Sequence, residues 1–108
     1  MSQAKLLLIY IDETDQFGHV PLYEAIVRML QANKLAGATV QTGLMGFGAH
    51  GFIHRKRLFG ISDDKPVSII AVDREDKIRA VLPELQSMIK EGLIALVDTE
   101  VIPLTAQQ

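Results

Sequence analysis

The sequence predicts an α+β fold, and three observations carry that expectation. Lys5 to Ile11 is an unbroken apolar run of strand length. The stretches after Pro21 and after Asp73 repeat apolar residues at helical spacing. Two further strand-like runs, 38–45 and 67–72, lie back to back between those helices, and a fourth, 94–102, follows them.

Taken in order, Lys5 to Ile11 lacks any polar alternation, as expected of a strand buried on both faces. Asp12 to His19 is polar, ends at Gly18-His19 and reads as a loop. Pro21 suits the first turn of a helix, where the N–H has no partner anyway. Leu22, Ile26, Met29 and Leu30, flanked by Val27, then form an apolar stripe, and Gly37 reads as the helix stop. Val40, Thr42 and Leu44 alternate within a second strand. Pro66 opens the third strand, a position where its missing donor is tolerated.

Asp73 reads as the N-cap of the second helix, and Glu75 and Asp76 favour its positive first turn. Ile78, Val81, Leu82, Leu85, Met88 and Ile89 form its buried stripe. Pro83 lies inside it, so a kink or break is expected there. Gly92 reads as the stop after Lys90. The fourth strand, Ile94 to Ile102, ends at Pro103.

The order is βαββαβ, the ferredoxin-like split-βαβ arrangement. One antiparallel sheet would carry both helices on one face, with a long loop between the second and third strands. The other face would be bare, yet the first strand is apolar throughout and the last two partly so. A sheet with one face in water should alternate. An oligomer in which sheets pack on neighbouring sheets is therefore expected.

The 108 residues suit a single domain, here 1–104 with a C-terminal tail at 105–108. A hydrophobic content of 48% is ample for a core. A net charge of −2 and a pI near 5.9 argue against nucleic acid as a partner. The absence of cysteine excludes disulfides and thiolate metal sites. The apolar run at 6–11 is too short for a membrane span and lacks the marks of a signal peptide, so a soluble cytoplasmic protein without membrane insertion is expected.

Chemistry concentrates in the long loop. Gly46-Phe47-Gly48-Ala49-His50-Gly51 runs on through Ile53 to His54-Arg55-Lys56-Arg57. Loops beyond about 12–15 residues are uncommon in compact domains and are usually functional or disordered. Gly46, Gly48 and Gly51 suit a backbone nest whose N–H groups approach an anion, or equally a bulge or tight turn at a strand end. His54, Arg55 and Lys56 could pair with phosphates, or form a solvated basic loop, or dock on a partner protein. His50 and His54 have the spacing of a metal pair on a helix, but Gly48 and Gly51 oppose a helix there and no acidic residue lies within the run. Asp12, Glu13 and Asp15, like Asp63 and Asp64, read as solvated turns. No Walker, Rossmann or nucleophile-elbow motif is present and no nucleophile has a visible base, so an enzyme is not expected.

In order and spacing, several segments together resemble a known family. They are Pro21-Leu22-Tyr23-Glu24-Ala25-Ile26-Val27, Leu35-Ala36-Gly37-Ala38-Thr39-Val40, Gly46-Phe47-Gly48, Gly51, Ile53-His54, Val72-Asp73, Leu82-Pro83 and Lys90-Glu91-Gly92-Leu93. Over about 90 residues the chain resembles the PII-like proteins of domain of unknown function 190, within the PII signalling superfamily. The resemblance implies a homotrimer with its three sheets facing inward. It implies a regulatory protein in which a small anionic effector, commonly an adenine nucleotide, binds in clefts between subunits beneath the long loop. By position, Gly46, Phe47 and Gly48 would line such a cleft, with Lys90 and Gly92 where PII proteins carry a second glycine-rich loop. Gly51, His54, Arg55 and Lys56 would add backbone contact and charge. Loop 47–65 would then regulate a partner. Genes of the family often neighbour fluoride-channel genes, which suggests an ion transporter or channel. The chain departs from true PII proteins in lacking their longer Gly-Asp-Gly-Lys-type segment before the last strand. Two other readings stand beside the sensor: a ligand-independent interaction subunit of a transporter, and a metal-binding trimer using His50 and His54.

Overall fold

The structure is a computed structural model, and it describes residues 4–46 and 65–104. The elements run β1 (Ala4–Asp12), β2 (Gln16–Phe17), β3 (Val20–Pro21), α1 (Leu22–Ala32), β4 (Ala38–Thr42), β5 (Pro66–Arg74), α2 (Glu75–Met88) and β6 (Leu93–Thr99). The four long strands form one sheet in the order β4-β5-β1-β6, with every neighbouring pair antiparallel. With α1 and α2 this is the ferredoxin-like βαββαβ arrangement that the apolar patterning predicts.

Both helices cover one face. From the sheet come Leu7, Ile9, Ile11, Val67, Ile69 and Ala71, the odd-numbered positions of β1 and β5. Leu22, Ile26, Met29 and Leu30 of α1 and Ile78, Val81, Leu85 and Met88 of α2 close over them. Each fully buried Leu or Ile here contributes about 1.5–3 kcal/mol of apolar burial. Leu82 and Ile89 pack at the margin of this core.

The even-numbered positions of β1 and β5 and their partners on β4 and β6 form the opposite face, whose three central cross-strand rows lie between an Arg74, Ala4 and Thr99 row at one end and an Asp12 and Pro66 row at the other. Val72, Leu6 and Val97 make one; Thr39, Ile70, Leu8 and Ala95 the next; Gln41, Ser68, Tyr10 and Leu93 the third. None of the side chains in these three rows is ionisable near neutral pH. Tyr10, Leu93 and Val97 are exposed in the isolated chain. The bare apolar face expected from the unalternating β1 is present.

Several element ends differ from the sequence expectation. Asp12 to His19 is not all loop: Gln16 pairs with Pro21 and Phe17 with Val20 around Gly18-His19. Gly18 has φ 65°, as the first central position of a two-residue type II′ hairpin turn requires. Helix α1 stops at Ala32 rather than at Gly37, and Lys34 takes the left-handed conformation (φ 64°). Asn33 closes that end by donating from Nδ2 to the Met29 carbonyl at 2.9 Å. Asp73 is not the cap of α2, because β5 runs on to Arg74, the N-cap residue. The Asp73 carboxylate instead accepts from the backbone N–H of Ala36 at 2.9 Å and of Arg74 at 2.7 Å. Helix α2 runs through Pro83 unbroken. It ends at Met88, short of Gly92, because Ile89 turns into extended conformation with its side chain against the core. Strand β6 ends at Thr99, four residues before Pro103.

A charged cluster ties the strand ends remote from the long loop. Lys5 of β1 pairs with Asp98 of β6 and reaches Glu75 of α2 at 4.0 Å, and Arg79 binds Glu75 at 2.8 Å. No described helix is long and apolar enough to cross a membrane.

Candidate functional site

The register brings the two roots of the long loop and the start of β6 to one end of the sheet. Asp12 lies opposite Pro66, Thr42 opposite Val67, and Tyr10 opposite Leu93. The end of β4, the start of β5, the end of β1 and the start of β6 therefore share that end. Gly46 lies just beyond β4 and Lys90–Gly92 just before β6. Phe47, Gly48, His50, Gly51, His54, Arg55, Lys56 and Arg57 lie outside the described residues, as do Asp63 and Asp64.

The base of the long loop is tightly tied. The Gly43 N–H donates to the Pro66 carbonyl at 2.7 Å. A Cβ placed on Gly43 would come within 2.9 Å of Pro66 Cγ, and one on Gly46 within 3.3 Å. Both glycines thus lie against the proline ring: a side chain would collide at Gly43 and be tightly packed at Gly46. On the returning side, the Glu13 N–H donates to the Lys65 carbonyl at 2.9 Å, and the Lys65 N–H donates to Glu13 Oε1 at 3.3 Å. Gly43, Pro66, Glu13 and Lys65 are absent from the sequence-predicted set. The Pro66 ring and a second glycine three residues before Gly46 were the available signals.

The neighbouring acidic turn is folded on itself. Asp12 Oδ1 accepts from the backbone N–H and the Oγ1 hydroxyl of Thr14, each at 2.9 Å. Asp15 Oδ2 accepts from the Asp12 N–H at 3.1 Å, and the Asp15 carbonyl accepts the first α1 donor, Leu22, at 2.8 Å. Among the described residues no group of three or more His, Asp or Glu side chains is placed to hold a metal.

At the other edge Lys90 is exposed, and Gly92 (φ 159°) backs onto β1. A Cβ there would lie 2.6 Å from the Tyr10 carbonyl oxygen and within 3.2 Å of the Ile89 and Ile11 side chains. Gly92 is therefore required for close backbone approach, not for stopping α2. Strands β4 and β6 are the two edges of the sheet, with β5 and β1 between them. Three interstrand steps of about 4.8 Å separate them, roughly 14 Å in all. The Glu13–Lys65 pairing occupies the sheet end between them. Gly46 lies over Pro66 of β5 and Gly92 over Tyr10 of β1, so the two motifs flank that pairing.

Known proteins bear on this geometry. The family model DUF190, described as "Uncharacterized ACR", matches residues 4–101. A UPF0166 protein of Methanocaldococcus jannaschii is 39% identical over 102 residues, covering 94% of both chains. A UPF0166 protein of Aquifex aeolicus is 35% identical over 102 residues, covering 94% of this chain and 96% of its own. Among solved structures, a similar fold is that of CPII, a nitrogen regulatory PII-like protein from Thiomonas intermedia K12. Bound to ADP, AMP and bicarbonate, CPII superposes with a TM-score of 0.67 at 22% identity, over 92% of this chain and 94% of CPII. Its complex with ADP, AMP and acetate gives a TM-score of 0.68 at 22% identity, over 94% and 91%. At that identity the likeness speaks for the fold. Sequence match and fold together make this chain a member of the DUF190 (UPF0166) family with a PII-like, ferredoxin-like architecture.

Proposed function

We propose that this protein is a homotrimeric PII-like sensor that binds an adenine nucleotide between subunits and regulates a partner through loop 47–65. The observation that carries the reading is the placement of the two ligand-type motifs at one end of the sheet, Gly46 just beyond edge strand β4 and Lys90–Gly92 just before edge strand β6. In this reading the anion lies between the β4 edge of one copy and the β6 edge of another. A sheet face uncharged in its three central rows, with Leu6, Leu8, Ile70, Val72, Ala95 and Val97 at its centre, gives the copies a surface to share without burying charge. CPII, which has the same fold, was crystallised with ADP and AMP.

In this reading Gly46, Phe47, Gly48 and Gly51 offer close backbone N–H groups to phosphate oxygens. Lys90, His54, Arg55 and Lys56 supply the positive charge, and Gly92 lets the Lys90 turn sit close to β1. Binding orders the loop, which exposes or hides a docking surface for a protein partner, an order–disorder switch without a catalytic step. An ion transporter or channel is the partner class the family's gene neighbourhoods favour.

Calorimetric titration of ADP and AMP into the parent protein and into Lys90→Ala tests this. The expected result is one nucleotide per chain and at least a tenfold loss of affinity in the variant, since a hydrogen bond to a charged group is worth about 1.5–3 kcal/mol. Absence of binding by the parent chain overturns the nucleotide reading.

A further inference from the structure

Pro66 begins β5 without an N–H, so the first residue of the strand cannot donate to the ladder. The register of β1 against β5 ends there, at Asp12 opposite Pro66. One residue further out, Lys65 carries the last backbone groups before the loop returns to the sheet. Both are taken by one residue: the Lys65 carbonyl accepts the Glu13 N–H at 2.9 Å, and the Lys65 N–H donates to Glu13 Oε1 at 3.3 Å. An ionised acceptor makes the stronger kind of hydrogen bond.

Glu13 is itself held in place. The Asp12 carboxylate folds over Thr14, and the Asp15 carbonyl receives the first N–H of α1. The position of Glu13 is thus set by the turn that joins β1 to the hairpin and helix. The other root of the loop is fixed separately, by the Gly43 N–H on the Pro66 carbonyl and by the proline ring over Gly43 and Gly46. The two roots meet at the Lys65-Pro66 pair.

We infer that Glu13 is a positioning residue that fixes the returning root of loop 47–65, by holding both backbone groups of Lys65. The weight given to that loop rests on the sensor reading above. Glu13 touches no effector in this scheme; it holds Lys65, the residue that leads into β5. An aspartate is one methylene too short to close the same ring, whereas a glutamine keeps the Oε1 acceptor.

The test pairs Glu13→Ala with Glu13→Gln and reads two quantities: amide hydrogen exchange at Lys65, by NMR, and ADP affinity, by calorimetry. The alanine variant is expected to exchange at Lys65 roughly threefold to tenfold faster, as loss of one hydrogen bond implies, with the glutamine variant close to the parent. ADP affinity is expected to fall in the same order. Equal Lys65 exchange in all three proteins overturns the inference. So does faster exchange with unchanged affinity in a parent that binds ADP. If the parent binds neither ADP nor AMP, the sensor reading fails on its own. The Lys65 exchange then decides the role of Glu13: a rise in alanine that glutamine reverses supports it, and no rise overturns it.

Discussion

Gly92 lies directly against the backbone of Tyr10: a methyl group on its Cα would sit 2.6 Å from the Tyr10 carbonyl oxygen. That contact joins the Lys90–Gly92 turn to the strand whose Tyr10 side chain lies on the open sheet face. Gly92→Ala cannot be absorbed by moving a flexible side chain, because the obstacle is main chain. It is expected to destabilise the protein by about 1–3 kcal/mol, the usual cost of forcing extra atoms into a packed site. A denaturant midpoint shift with an unchanged slope is the reading to look for.

The open face makes a separate prediction. Leu8 and Ile70 sit side by side in its middle row. A glutamate at Leu8 places a charge where copies are proposed to meet, and a buried unpaired charge is strongly unfavourable. Leu8→Glu is expected to shift the native mass toward that of the single 11.9 kDa chain. Light scattering that finds the same assembly for parent and variant would remove this face from the interface.

Pro83 makes a prediction of opposite sign. It lies inside α2, exposed, where it withholds one helical hydrogen bond from the Arg79 carbonyl. Pro83→Ala is expected to raise stability by about 1–3 kcal/mol, since an interior proline costs roughly 3 kcal/mol relative to alanine and part of that is already relaxed. A thermal midpoint that falls instead would mean that the proline ring makes packing contacts of its own.

Acid conditions test the Lys5 cluster. The hydrogen bond from Lys5, and then its charge, hold the Asp98 carboxyl below its ordinary value of 3.8. The folded protein therefore takes up this proton less readily than the unfolded chain. The contribution is present above the unfolded value and is lost as pH falls through the lower folded one. Asp98→Asn is expected to flatten slightly the fall in melting temperature below about pH 4, while the Arg74–Asp76 pair, which lowers the Asp76 carboxyl in the same way, still acts. Parallel pH profiles for parent and variant would show that the pair has no effect on stability.

Much of the fold was legible because apolar spacing reports burial. The α1 stripe of Leu22, Ile26, Met29 and Leu30 is the buried set of the structure. The lack of alternation in β1 correctly marked a sheet with two apolar faces. Element ends were less legible, because tertiary contacts decide them. Asp73 looks like a helix cap but is used across the fold by Ala36, and Ile89 ends α2 early by turning into the core. The two-residue strands around Gly18 are too short for any periodicity to show. For the candidate site, Gly46, Lys90 and Gly92 could be picked out individually. Their gathering at one end of the sheet follows only from the strand order and register. Glu13 read as part of a solvated turn, since nothing local announces a partner 52 positions away.

The cationic run of the long loop gives a direct side-chain test. In the sensor reading Arg55 and Lys56 meet phosphate oxygens, so the double variant Arg55→Ala, Lys56→Ala is expected to bind ADP at least tenfold more weakly, the loss of about one charge-assisted hydrogen bond or more. Affinity equal to the parent would remove both side chains from the site.

The central claim is that the protein binds an adenine nucleotide, and thermal unfolding across a ligand panel tests it most directly. The panel holds AMP, ADP, ATP, cyclic nucleotides, bicarbonate, fluoride and divalent metals. A ligand at about 100 times its dissociation constant adds roughly 2.7 kcal/mol of stability, enough for a clear rise in melting temperature. A selective rise with ADP or AMP is expected. A rise with divalent metals alone, or no rise with any nucleotide, would contradict that claim.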